Sequence, residues 1–224
     1  MTHNADESNL VPAKLRADRC TSGPKRGPEP AVAASRLILD PAEPLHLHAI
    51  FASSRPLEVD VGCGKGLFLL ARAKAHPETN FIGIDRLITR LRKVDSKLAR
   101  AALTNVRLLH SEASYAIEFL LPPETVRTMY IFFPDPWPKR RHHRRRLFTP
   151  SFVAAAYRAL LRGGRIHAAT DDADYFETIA RVLGAHGRFA PVEPLELDRE
   201  QWSNFETTFR NLNARIHRCS FEKR

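Results

Sequence analysis

The sequence predicts an α/β protein with a doubly wound, mostly parallel sheet and helices on both faces. Three observations carry this. Five short apolar runs alternate with amphipathic segments from Leu57 to His186, the pattern of right-handed strand–helix–strand units. The first run, Leu57-Glu58-Val59-Asp60-Val61, opens directly into Gly62-Cys63-Gly64-Lys65-Gly66 and then a helix, a nucleotide-binding turn. The fourth, Met129 to Phe133, meets Pro134-Asp135-Pro136-Trp137-Pro138, where three prolines in five positions rule out helix and central strand. A strand thus delivers a carboxylate and an indole to a stiff turn, at the strand end where such sheets bind ligands.

The totals set the frame. A chain of 224 residues, 43% of them hydrophobic, can fill one core and is a long single domain or one domain with a tail. A formal net charge of +10 favours nucleic acid or another polyanion as partner. Cys20, Cys63 and Cys219 are odd in number and widely spaced, so neither a disulfide framework nor a paired-cysteine metal site is indicated. His46 and His48 lack a nearby third ligand, so no metal is expected. There is no apolar run long enough to span a membrane and no signal-peptide pattern, which makes the cytoplasm the default compartment. Monomer and homodimer are equally open.

In chain order, residues 1–35 read as a disordered, mildly basic tail, with Pro12, Pro24, Pro28 and Pro30 scattered through them. Residues 36–224 read as one domain, beginning with a lead-in segment, Arg36 to Phe51, packed on it. Helix Leu67 to Ala75 stops before Pro77. Strand Asn80 to Asp85 leads into a helix with Leu87, Leu91, Val94 and Leu98 on one face; its Arg and Lys residues read as a solvated face or as part of an RNA surface, the solvated face being favoured for most of them. Strand Asn105 to His110 is followed by a short helix, Tyr115 to Leu121. After Met129 to Phe133 come helix Thr149 to Leu161, with Thr149 as N-cap and Pro150 at N1, strand Arg165 to Thr170, and helix Ala173 to His186. Phe189 to Leu197 and Arg215 to Phe221 are two further strand candidates, giving a mixed seven-stranded sheet with one reversed strand. Gln201 to Phe209 between them reads as a polar, aromatic loop.

The candidate site residues lie at strand ends. Glycines at 62 and 64 let a ligand approach the backbone. Asp60, two residues before the first, would repel a pyrophosphate but suits an amino group or sulfonium, which favours S-adenosylmethionine over a nicotinamide nucleotide. Asp85 ends the second strand roughly 20 residues past the loop, where a carboxylate accepts from both ribose hydroxyls; its bland role is a helix N-cap. Glu112, after the third strand, falls near the adenine edge. Beyond Asp135, Lys139 to Arg146 puts six Lys or Arg and two His into eight positions; Arg140, Arg141, Arg144, Arg145 and Arg146 form the expected phosphate patch. Trp137 either stacks on a base or plugs the turn. A nicotinamide-dependent dehydrogenase would need G-x-G-x-x-G and no basic patch at the fourth strand. A decayed, non-catalytic RNA-binding module would not keep the acids at 60, 85 and 135.

From Leu57 onward the chain resembles the bacterial tRNA (guanine-N7-)-methyltransferases. Phe132-Phe133-Pro134-Asp135-Pro136-Trp137-x-Lys139 is similar to that family's signature. The glycine loop, Gly83-Ile84-Asp85, Ala169-Thr170-Asp171 and Phe205-Glu206 fall in the family's order. The resemblance implies a class I methyltransferase fold and methylation of a guanine N7 in the variable loop of tRNA. By position, Asp60, Asp85, Glu112 and Asp135 match the family's S-adenosylmethionine contacts, and Lys139, Asp171 and Ser203, Asn204, Phe205 and Glu206 its substrate contacts. Three positions depart: Glu112 replaces a usual Asp, Ser203 a usual Thr, and Asn213 a frequent Gly. Guanine N7 has a free lone pair and no proton, so no general base is required. As the ring turns cationic its N1–H and N2–H become stronger donors, and a carboxylate there would bind the transition state best. Asp135 or Glu206 could fill that role; Asp135, nearer the donor pocket, is the expected catalytic residue.

Overall fold

The structure, a computed structural model, describes residues 36–37, 43–51 and 53–224. The expectation of a disordered tail over residues 1–35 lies outside the described residues.

The expected seven strands are present: β2 (Leu57–Val61), β3 (Asn80–Asp85), β4 (Val106–His110), β5 (Val126–Phe132), β6 (Leu160–Thr170), β7 (Phe189–Val192) and β8 (His217–Lys223). A two-residue strand that the sequence reading did not include, β1 (Arg36–Leu37), pairs parallel with β4 at the edge. The order is β1-β4-β3-β2-β5-β6-β8-β7, and among the described strands β8 alone runs opposite to the rest. The chain order reverses at β2, so its C-terminal end opens between β3 and β5. That crevice is where an open α/β sheet binds its ligand.

Helices cover both faces. α1 is Leu47–Phe51, α2 Leu67–Ala75 and α3 Ile88–Arg100; α4 (Ala113–Tyr115) continues as a π-turn, Ala116–Leu120. Beyond β5 lie α5 (Pro150–Ala159), α6 (Ala173–Ala185) and α7 (Asn204–Asn211). One face of the sheet, with Val59, Val61, Met129, Ile131, Ile166 and Ala168, packs on α5, α6 and the π-turn. On β3 and β4, Ile82, Ile84 and Leu109 share that face and alternate residues point the other way. There Leu69, Leu91, Val94, Leu98, Phe81 and Leu108 form a second core under α2 and α3. The described part of the lead-in packs as expected: Leu45 is buried and donates its N–H to Leu120 O at 2.7 Å.

Several element ends differ from the sequence reading; β5, for instance, begins at Val126 rather than Met129, and β8 runs His217–Lys223 rather than Arg215 to Phe221. β6 begins at Leu160 rather than Arg165, because Gly163, at φ +73°, bends the strand instead of merely ending α5. β7 ends at Val192, not Leu197; it is the edge strand, where Pro191 is tolerated. The stretch Gln201 to Phe209 is not a loop: Ser203 caps α7, its hydroxyl accepting from Glu206 N at 3.1 Å. Asn213 stands at φ +52° just past α7, with Ala214 N bonded to Phe209 O and Asn213 N to Arg210 O. This is a Schellman ending, in which asparagine takes the left-handed position that glycine otherwise fills.

Candidate functional site

The site is built from the β2 end outward. Asp60 is buried on β2, between Gly83 of β3 and Tyr130 of β5 in the sheet. Its Oδ2 is fully buried and has no hydrogen-bond partner. Burial, and then the charge of Asp85, push its carboxyl up to about 7. An orphaned acceptor of this kind asks for a donor, and a cationic one would restore its ionisation.

Gly62, Gly64 and Gly66 all take positive φ (80°, 56° and 71°), which holds the loop in a shape that L side chains resist. A Cβ on Gly66 would stand 2.7 Å from Val94 of α3, so loop and helix pack at backbone range. Asp85 ties the loop to that helix. Its Oδ2 accepts from Gly64 N at 3.0 Å, its Oδ1 from Leu87 N at 2.8 Å, and Arg90 Nη1 lies 3.6 Å away. Each oxygen retains further acceptor capacity. Glu112 is exposed just before α4.

A cleft of about 160 Å³ opens over this loop. Asp60, Gly62, Gly64 and Arg90 line one part of it, and Ser203, Asn204, Phe205 and Thr208 of α7 and its cap line another. Phe68 and Phe132 complete its floor, their ring centroids 4.9 Å apart. Phe205 is 51% exposed at the mouth, in a cluster with Phe133 and Phe209. Neither Phe68 nor Thr208 nor Arg90 was singled out in the sequence; none sits in a motif, and only the packing of α2, α3 and α7 brings them to the cleft.

The turn after β5 is strained at both ends. Phe133 and Trp137 take φ +54° and +46°, and together they bracket Pro134-Asp135-Pro136. Phe133 N is held by Ala169 O at 2.7 Å, which joins the turn to the end of β6 and so to Asp171. Asp135 and Lys139 are exposed and Asp171 is half-buried. Trp137 is half-buried with Arg145 over its ring at 5.0 Å and His142 edge-on at 5.9 Å. Its ring therefore already has protein neighbours, as the plug role requires.

Arg146 is a correction to the phosphate patch. It is buried, donates to Pro136 O at 2.8 Å, pairs with Asp174 at 2.5 Å and lies 4.8 Å over the Tyr175 ring. It clamps the turn to α6, whereas Arg140, Arg141, Arg144 and Arg145 are exposed. Glu206 is fully buried; Arg210 reaches its Oε1 at 2.9 Å and Arg218 also donates to that oxygen, while Oε2 is buried without a partner. These two arginines were also missed: Arg218 pairs through the α7–β8 contact, and Arg210 pairs one turn along α7, in a stretch that the sequence reading took for a loop.

With this geometry in view, the comparisons with known proteins are specific. A family model described as a putative methyltransferase matches residues 54–219. The chain is 37% identical over 177 residues to the tRNA (guanine-N(7)-)-methyltransferase of Geobacillus thermodenitrificans, covering 77% of this chain and 82% of that one. The chain belongs to the tRNA (guanine-N(7)-)-methyltransferase family. The enzyme of that name from Nitrosococcus oceani is 41% identical over 65% of this chain and 62% of its own length. Among solved structures, an antibiotic-related methyltransferase superposes with a TM-score of 0.59 at 20% identity, over 86% of this chain and 96% of that one. At that identity the likeness shows the fold, a methyltransferase fold as the sequence implied. No helix among the described residues is long and apolar enough to cross a membrane, and none of their His, Cys, Asp and Glu form a group of three or more that could hold a metal ion.

Proposed function

We infer that this chain uses S-adenosylmethionine to methylate N7 of a guanine in the variable loop of tRNA, and that residues 36–224 act as one domain in doing so. The observation that carries this reading is the meeting of two distant segments in one cleft: the glycine loop after β2, and Ser203, Asn204, Phe205 and Thr208 at α7. A donor pocket and an acceptor wall are thereby held face to face.

The residues fit the cofactor. Asp60 offers a buried, unpartnered oxygen to its amino group, and the backbone at Gly62 and Gly64 allows close approach. Asp85 keeps acceptor capacity for the ribose hydroxyls, and Glu112 stands by for adenine. Bound S-adenosylmethionine supplies a methyl already activated on a sulfonium and open to direct displacement by the N7 lone pair. What remains for the protein is alignment and electrostatics. Asp135 is assigned to the ring N1–H and N2–H, where its charge meets the positive charge that the purine gains. The strained turn and the Arg146 clamp hold it there. Lys139 and Asp171 flank the base, and Ser203, Asn204 and Phe205 form the opposite wall, with Glu206 buried behind it against Arg210 and Arg218. Arg140, Arg141, Arg144 and Arg145 hold nearby phosphates, contributing affinity rather than base choice.

The test is direct. Purified protein, S-adenosylmethionine and unmodified tRNA should yield 7-methylguanosine on nucleoside analysis, and tRNA from a strain lacking the gene should have lost it. Methylation at another atom, or no product with protein that binds both ligands, would overturn the reading.

A further inference from the structure

α3 carries a second set of cations that the function described above does not use. At about 100° per residue, Arg90, Lys93, Lys97 and Arg100 fall on one stripe, at spacings of three, four and three. Leu91, Val94 and Leu98 are buried on another face. Asp95, the helix's one acid, projects on the far side from the stripe. Arg90, Lys93 and Arg100 are exposed and Lys97 is half-buried. Lys97 donates to Lys65 O at 2.7 Å and Arg100 to Ser96 O at 3.3 Å, so carbonyl oxygens rather than carboxylates receive these two bonds. Like charges three and four apart on a helix repel, which disfavours such a stripe unless an anion lies along it.

Its place in the fold gives the stripe a direction. Arg90 lines the cleft, and the stripe runs from it down α3 for roughly 15 Å at the helical rise. α3 follows β3 and the Lys139 to Arg145 run follows β5, while the cleft opens at β2 between those two strands. The two cationic surfaces therefore lie on opposite sides of the cleft.

We propose that Arg90, Lys93, Lys97 and Arg100 form a second phosphate track, which binds the sugar–phosphate backbone of the substrate RNA on the β3 side of the cleft. The proposal rests on the tRNA reading above. Held on both sides, the RNA spans the cleft, so the track contributes affinity but not the choice of base. A chain that gripped RNA only on the β5 side would gain nothing from a stripe on α3 in which, among the described residues, only Arg90 reaches a carboxylate, that of Asp85 at 3.6 Å.

The test uses equilibrium binding of tRNA against salt. Lys93→Gln/Arg100→Gln avoids Arg90 and Lys97, which touch Asp85 and the glycine loop. Arg92→Gln/Arg162→Gln removes the same charge from exposed positions off the stripe. For the first variant the slope of log K against log salt should fall by about 1–2, with S-adenosylmethionine affinity and the single-turnover rate at saturating tRNA as in wild type. A wild-type slope, or an equal fall in the control variant, would overturn the track while leaving the tRNA reading intact. Failure of the wild-type protein to methylate tRNA would remove that reading, and the track with it.

Discussion

The guanidinium of Arg218 on β8 donates to Oε1 of Glu206 on α7, and both side chains are withdrawn from solvent, at 8% and 0% exposure. Arg210 reaches the same oxygen from the helix surface. Breaking a buried pair by removing one partner leaves a charge without compensation. Arg218→Met should therefore lower unfolding stability by up to about 3–5 kcal/mol, with Arg210 retaining part of it. Adding Glu206→Gln should recover much of the loss in denaturant titrations. Equal stability of Arg218→Met and wild type would mean that Arg210 alone suffices.

Asp60 makes cofactor binding pH-dependent. Its folded carboxyl sits at about 7 against an ordinary 3.8, so between these values the empty folded state holds a proton that the unfolded chain has lost. Its contribution to stability accordingly falls as pH rises through that window. A bound cation needs the ionised form, so S-adenosylmethionine affinity should rise, by at most about tenfold per pH unit, up to about pH 7. Asp60→Asn should bind more weakly and without this slope. Calorimetry showing the same profile for both proteins would remove Asp60 from the site.

Asp85→Ala should weaken S-adenosylmethionine binding by about tenfold to a hundredfold, the loss of hydrogen bonds to a charged acceptor worth roughly 1.5–3 kcal/mol. Because Asp85 also accepts from Gly64 and Leu87, hydrogen exchange at the glycine loop should accelerate in the same variant. Unchanged cofactor affinity in the folded variant would place the ribose elsewhere.

The arginines of the basic run should separate into two classes. Arg144→Gln/Arg145→Gln should lower the salt slope of tRNA binding by about 1–2 and spare stability. Arg146→Gln should do the reverse, since its bonds go to Pro136, Asp174 and Thr178. A salt-slope change from Arg146→Gln as large as that from the exposed pair would show that its buried clamp opens to RNA.

Asp135→Asn should slow single-turnover methylation by about 10²–10³, as for one preorganised electrostatic contact, with tRNA affinity little changed. With both ligands saturating, the wild-type rate should be flat between roughly pH 6.5 and 8.5, because N7 has no proton to remove. A rising limb abolished by Asp135→Asn would instead assign it as a base.

Much of this protein is written in local sequence. Strand and helix periodicity, the glycine loop and the acids at strand ends depend on residues near one another in the chain. They specify the doubly wound sheet and put Asp60, Asp85 and Asp135 at or just beyond its strand ends. Contacts between distant segments were not legible. Seven apolar runs could not reveal that Ser203 to Phe205 would come round to the cleft over the glycine loop, because that depends on how α7, which lies between β7 and β8 in the chain, packs on the rest of the fold. Nor could eight consecutive basic and histidine positions show that Arg146 turns inward. Its partners, Asp174 and Tyr175, lie on α6, and burial of a cation is decided by what packs around it rather than by its neighbours in the chain.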